Sequence, residues 1–391
     1  MKRLASMGLV LLAGSFFSVS ALADSGVINL GPEEILKAKG QEIVVPGYSV
    51  PSLADWNNDG LQDLIVGEGG GGAPGKIRVY LNVGTEADPC FTDYFYVQAN
   101  GGDLTCTPEG CLGCFPRVVY WNADQKKDLL VGLGDGTVQS FVNIGTDSDP
   151  AFNIGLDVRV GSGDAYTLDV GMRATPVLID WNNDGMLDIV AGGLDGAVHV
   201  YYNCGCGGSV PPHFSFSEPP GELLMDQGHT LLVPSGRSSV VAADLDGDGN
   251  KDLLLGNTDG QILFYRNVAA DSRPTFMGYT LVESNGVPID LAGSLRTRPF
   301  ACHWTSRGYW DLLVGYGDGK IRLYRAIPKL GDLNADGVLD GDDLTILAQA
   351  LDKLAPLGGS SADLNRDGLV NILDLRLFAD LWLAEYGADK K

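Results

Sequence analysis

One nine-residue pattern constrains this chain more than any other. Asp55-Trp56-Asn57-Asn58-Asp59-Gly60-Leu61-Gln62-Asp63 carries side-chain oxygens at positions 1, 3, 5 and 9 and a glycine at position 6. Alternate side chains on a tightly turned loop converge on one point, and a hard cation such as calcium needs several oxygens there. Asp55, Asn57, Asp59 and Asp63, with the carbonyl of Leu61, form a candidate calcium shell. The pattern returns as Asp180, Asn182, Asp184, Met186 (carbonyl) and Asp188, and as Asp244, Asp246, Asp248, Asn250 (carbonyl) and Asp252. Two further copies are degraded. In the one ending at Asp128, Tyr120 replaces the first ligand and Gln125 the glycine. From His303 to Asp311 only the last carboxylate survives, and Arg307 puts a cation where a ligand should be.

The copies start about 60 residues apart, which marks a repeat architecture. Each continues alike. A proline four residues upstream opens a strand (Pro51, Pro116, Pro176, Pro299; the fourth copy lacks it). The loop leads into a short apolar strand ending in glycine, such as Leu64-Ile65-Val66-Gly67. An Asp-Gly turn follows (Asp135-Gly136, Asp195-Gly196, Asp259-Gly260, Asp318-Gly319), a strong hairpin signal, and then an alternating strand. A Phe-headed segment supplies a fourth, outer strand. Three or four strands in each of five units predict a mainly β, five-bladed β-propeller. The fifth repeat lacks its outer segment, and the N-terminal stretch around Glu34–Ala38 and Glu42–Val45 is expected to complete it and close the ring.

Loop, apolar strand ending in glycine and Asp-Gly hairpin together resemble FG-GAP, or VCBS-type, propeller repeats, which also form the calcium-binding blades of integrin α-subunit heads. The resemblance covers roughly residues 27 to 327 and implies a propeller with calcium in loops at the blade edges. It names no partner, because one fold hosts many functions.

Past Ala326 the pattern changes. Asp332, Asn334, Asp336, Val338 (carbonyl), Asp340 and Asp343 occupy loop positions 1, 3, 5, 7, 9 and 12. Asp363, Asn365, Asp367, Leu369 (carbonyl), Asn371 and Asp374 do the same. This is EF-hand spacing with Asp in place of Glu at position 12. Each loop runs into a helix, with Leu344, Leu347 and Leu351 on one face of the first and Leu375, Phe378 and Trp382 on one face of the second. The duplicated loop-helix unit resembles a type I dockerin, a small all-α domain with two EF-hand-like calcium loops. That family implies docking to a cohesin-like protein, often on polysaccharide-degrading assemblies. At loop positions 10 and 11, where such domains commonly carry small hydroxyl residues, this chain has Gly341-Asp342 and Ile372-Leu373.

Residues 1–23 read as a secretory signal: basic Lys2 and Arg3, an apolar middle, and Ala21-Leu22-Ala23 as a cleavage site. Residues 24–327 are then the propeller and 328–388 the dockerin, secreted to the extracellular space or the cell surface, with no membrane span. The net charge of −23 excludes nucleic acid and anionic membranes as natural partners. Three propeller loops and two dockerin loops give five calcium ions, which would bring the formal charge to −13. Export favours disulfides over zinc for Cys90, Cys106, Cys111, Cys114, Cys204, Cys206 and Cys302, and the odd count leaves one thiol over, for which Cys302 is the candidate. Trp56, Trp121, Trp181 and Trp304 share loop position 2 and either pack between blades or form a ring for sugar stacking.

No Gly-x-Ser-x-Gly or His-Glu-x-x-His stands in the chain, and the four histidines are scattered, so no catalytic residue is named. Two functional readings follow. One is a calcium-binding protein whose propeller binds a glycan or protein and whose dockerin attaches it to a cohesin-like partner in extracellular polysaccharide breakdown. The other is a dockerin-tethered carbohydrate-active enzyme, a polysaccharide lyase or glycoside hydrolase, with the propeller as catalytic module.

Overall fold

The computed structural model describes residues 28–386 apart from 71–73, 87, 107–112, 123, 206–211, 215–220, 291–295, 305–307 and 355–360. The proposed secretory signal, Cys111 and Cys206 lie outside the described residues.

Each repeat opens with an inner strand: Val50–Ala54, Phe115–Val119, Thr175–Ile179, Ser239–Ala243 and Arg298–Cys302. These neighbour one another in chain order, and the last returns to the first. Each pairs antiparallel with the apolar strand beyond its loop: Asp63–Gly67, Asp128–Gly132, Asp188–Gly192, Asp252–Gly256 and Asp311–Gly315. Every residue of those second strands is buried. Cover on both faces is why they read as continuous apolar runs rather than alternating ones.

The glycine ending each second strand has a packing cause. A Cβ on Gly67 would lie 2.1 Å from the Cys114 carbonyl oxygen, and one on Gly192 would lie 1.9 Å from that of Ser238. At this seam each repeat donates to the one before it: Cys114 N–H to the Glu68 carbonyl at 3.3 Å, Ser238 N–H to the Gly193 carbonyl at 3.0 Å. The same bond from Ser49 N–H to the Tyr316 carbonyl, at 3.1 Å, joins first repeat to last. Any side chain on these glycines would push adjacent sheets apart.

The arrangement is a β-propeller, but the expectation of five blades is corrected: four repeats form complete blades of their own. Four sheets are built on meanders of four consecutive strands, 50–96, 115–157, 175–223 and 239–281, and the first also takes on Lys37–Ala38, Gln41–Glu42 and Thr105–Cys106. The fifth repeat supplies only three strands, ending at Ile321–Ala326. Leu30–Ile35 from the N-terminus pairs antiparallel with that strand, Glu34 opposite Leu323 and Ile35 opposite Arg322, so the closing sheet is a composite. The N-terminal closure is thus observed; its cause is the edge that the short fifth repeat would otherwise leave open.

The position-2 tryptophans are 1–6% exposed, which removes them as a sugar-stacking ring. They pack across the seams: Trp56 on Phe152, Trp121 on Phe214 and Trp304 on Phe91, with ring centroids 6.1, 6.4 and 5.9 Å apart. The heading phenylalanines of the outer segments, Phe91, Phe152, Phe214 and Phe276, are buried for the same reason.

Two helices follow, α1 (Gly341–Ala350) and α2 (Ile372–Tyr386). Their core is small, centred on Leu339, Leu347, Ala362, Leu364, Val370 and Phe378. Leu344, expected on the inner face of α1, is 37% exposed and outside that core. No described helix is long and apolar enough to cross a membrane. Cys106 and Cys114 form a disulfide, Cys204 is disulfide-bonded, and Cys302 is free together with Cys90.

Candidate metal centres

The intact propeller loops share one hydrogen-bond plan. Asp55 accepts from Asp59 N–H and Gly60 N–H, each at 3.0 Å, and Asp59 Oδ1 accepts from Leu61 N–H at 2.9 Å. Asp180 and Asp184 repeat this with Asp184, Gly185 and Met186. In the fourth loop Asp244 accepts from Gly247 and Gly249 N–H, and Asp248 from Asn250 N–H. Glycine at position 6 has φ of +90°, +86° and +89° at Gly60, Gly185 and Gly249. That left-handed backbone turns the loop so that its carboxylates face inward.

The ninth aspartate does more than its spacing suggested. Asp63, Asp128, Asp188, Asp252 and Asp311 are all fully buried. Asp63 accepts from Trp56 N–H at 2.8 Å and from Asn82 N–H, at the end of the third strand, at 2.7 Å. Asp128 does the same with Trp121 and Asn143, although its loop has lost other ligands. Asp311 keeps the bond to the end of the third strand, from Ala326 N–H at 2.7 Å. The residue therefore ties its strand to the end of the third strand in every repeat, and in four of them also to the residue at loop position 2. Burial pushes Asp63 and Asp188 up to about 6 and Asp252 up to about 7, partly opposed by these backbone donors.

The fourth loop brings ligand oxygens of Asp244, Asp246 and Asp252 within 4.8 Å of one another, a spacing one cation could bridge. Arg266 reaches the same group, 2.5 Å from Asp246 and 3.1 Å from Asp248. Sequence reading missed this competing guanidinium, because it approaches from the third strand. It also missed a lock between repeats. Asn58 donates to Asp147 at 2.7 Å, and Lys127 reaches both. Asn183, Asp271 and Lys251 form the same triangle between the third and fourth repeats, with Lys251 2.5 Å from Asn183 and 2.8 Å from Asp271. Position 4 of one loop thus grips position 8 of the next.

In the C-terminal pair of loops, Asp332 accepts from Gly337 N–H and Asp363 from Gly368 N–H, both at 2.9 Å. Asp343 accepts from Leu333 N–H at 2.7 Å and Asp340 N–H at 2.8 Å, while Asp374 accepts from Asn365 and Asn371 N–H. The twelfth position thus closes the loop and caps the helix behind it; at α1 this is a full capping box between Asp340 and Asp343. Asp332 Oδ1 is buried and has no hydrogen-bond partner among the described residues. A buried carboxylate oxygen left bare is costly, and a cation held by Asp332, Asn334, Asp336, Asp340 and Asp343 would satisfy it. The donor set of both loops, carboxylates, amides and a carbonyl, suits calcium.

The first C-terminal loop also rests on the propeller. Tyr309, in the degraded fifth loop, donates to Asp332 at 2.6 Å and accepts from Lys329 N–H at 3.0 Å. Gly308 lies against Asp336 and Gly337 so closely that a Cβ would fall 1.9 Å from the Asp336 carbonyl carbon. The neighbouring Trp310 donates its indole N–H to the Asp244 carbonyl at 3.0 Å.

The chain spans 15% of a Photorhabdus luminescens Tc holotoxin pore chain, with 76% of its own length, 14% identity and a TM-score of 0.34. A GH43_1 enzyme from Xanthomonas citri complexed with xylose aligns with 77% of this chain and 93% of its own, at 13% identity and a TM-score of 0.43. The BBS1N structure in complex with ARL6DN aligns with 78% and 97%, at 10% identity and a TM-score of 0.35. No curated protein matches the sequence. Residues 180–255 match the FG-GAP-like repeat and residues 330–379 the dockerin type I domain, so the chain carries an FG-GAP-like repeat followed by a type I dockerin.

Proposed function

We propose that this is a secreted calcium-binding protein, residues 24–327 forming a ligand-binding propeller and residues 328–388 a dockerin that attaches it to a cohesin-like partner. Three calcium ions sit in the loops of Asp55, Asp180 and Asp244, and two in the loops of Asp332 and Asp363. The propeller's ligand is a glycan or protein, in keeping with extracellular polysaccharide breakdown. The observation that carries the attachment is the paired dockerin loops, whose Asp332, Asp343, Asp363 and Asp374 are at most 7% exposed. Ile372 and Leu373, at positions 10 and 11 of the second loop, are 69% and 54% exposed and free to meet a partner.

Two cavities lie along the inner strands. The described lining of one carries arginines, serines and threonines, and that of the other is apolar around Arg117. Glycoside hydrolysis needs a pair of carboxyl groups, and neither described lining supplies one, which supports the binding reading over the enzymatic one.

The test is capture of the full chain by a panel of type I cohesin modules, with calcium or with EGTA. Capture in calcium, lost in EGTA and weakened at least tenfold by Ile372→Asp, is expected. A folded, calcium-loaded chain that no cohesin captures would remove the attachment role.

A further inference from the structure

At the end of the inner strands opposite the calcium loops, four arginines converge. Arg173, Arg237, Arg296 and Arg298 line one small pocket near the propeller axis. No aspartate or glutamate is among its described lining residues, in a chain whose net charge is −23. Arg173 and Arg298 are 7% and 3% exposed. Nη1 of Arg237 and both Nε and Nη1 of Arg296 are buried with no hydrogen-bond partner among the described residues. Tyr48 is sandwiched by cations, with the guanidinium of Arg296 4.4 Å and that of Arg298 4.6 Å from its ring centroid. Like-charged guanidinium groups lining one pocket repel one another, and the unmade hydrogen bonds of Arg237 and Arg296 cost further.

The backbone gives a second, independent sign. Arg173, Arg237 and Arg296 occupy one register, three residues before the Pro176, Val240 and Pro299 positions of their strands. All three sit in the left-handed region, at φ of +61°, +60° and +85°. Each N–H donates to a carbonyl of the preceding repeat: Gly134 at 3.1 Å, Leu194 at 3.0 Å and Thr258 at 3.0 Å. Glycine or asparagine would adopt this backbone at less cost. The same long cationic side chain carries this backbone in three repeats, and all three line the same pocket.

We propose that this pocket binds a single oxyanion group, carboxylate or sulfate, either as a free ion or as the charged substituent of a sugar. Planar guanidinium forks match both groups in a bidentate fashion. The narrow axial position admits one such group rather than a polyanion, which the acidic surface would repel. The anion site stands independently of the calcium and cohesin roles; only its sugar-borne form rests on reading the propeller as a ligand-binding module.

Titration calorimetry on the calcium-loaded full chain decides it, with inorganic sulfate, galacturonate, galactose 6-sulfate and neutral galactose as probes. One-to-one binding of at least one charged probe is expected, with none for galactose. Arg237→Met and Arg296→Met should each weaken it tenfold or more, and the corresponding lysine variants less. Binding of sulfate alone assigns a free-ion site; binding of the charged sugars assigns a ligand-borne group. No binding by any charged probe, equal binding of galactose, or unchanged affinity in both methionine variants with their thermal transitions intact would overturn the proposal.

Discussion

The propeller loops and the dockerin loops arrange nearly the same ligands on nearly the same turn, yet they stand in different relations to their folds. In the propeller the last aspartate belongs to the sheet. Asp128 and Asp311 keep their cross-strand bonds after their loops have lost other metal ligands. In the dockerin the last aspartate belongs to the loop and the helix cap, and the core behind it is a handful of residues around Leu347 and Phe378. On the proposed reading, calcium held by a loop on a large β framework would add to a structure that stands without it, whereas on a minimal helical pair it would be part of what makes the structure fold.

The largest expected effect separates the two regions by chelation. A fragment of residues 328–388 should show helical circular dichroism in calcium and lose most of it in EGTA, while the β signal of the full chain persists. Helical signal unchanged by EGTA would erase the contrast. A smaller effect distinguishes the two jobs of the ninth aspartate. Asp311→Ala should destabilise the propeller by about 1–3 kcal/mol, the cost of stranding buried donors, without changing the bound calcium count in native mass spectrometry. Asp63→Ala should cost a similar amount and also remove one ion. If both variants lose an ion, or neither is destabilised, the division of roles fails. The smallest effect concerns Arg266. Arg266→Met should tighten calcium at the fourth loop by a few-fold, because an exposed guanidinium no longer competes for Asp246 and Asp248. Calorimetry showing weaker calcium binding would mean that Arg266 organises the loop instead.

Much of this was legible in the sequence because repeats report on one another. The inward carboxylates, the strand-ending glycines and the N-terminal closure all follow from one period of about 60 residues. The expected count of five blades did not hold, because the fifth repeat supplies only three strands and makes no complete blade of its own. What stayed hidden depends on side chains from different repeats meeting. Asn58 and Lys127 are 69 residues apart, and no local spacing announces their contact. Arg173, Arg237 and Arg296 do share a register in the sequence, but only the closed ring turns that coincidence into a pocket. Tyr309 in turn looked like a degraded ligand site, and it is a seat for the neighbouring domain.

The closing sheet also has a mechanical consequence. The dockerin leaves the propeller from the strand Ile321–Ala326, which is hydrogen-bonded to Leu30–Ile35 on one edge and to Asp311–Gly315 on the other. Tension entering through an anchored dockerin reaches that strand first, and a ladder holds it on each edge. The Tyr309–Asp332 contact lies ahead of them on the load path and would yield before them. A molecule pulled by flow while held at its C-terminal domain would thus let its anchor swing free while its ring stays shut.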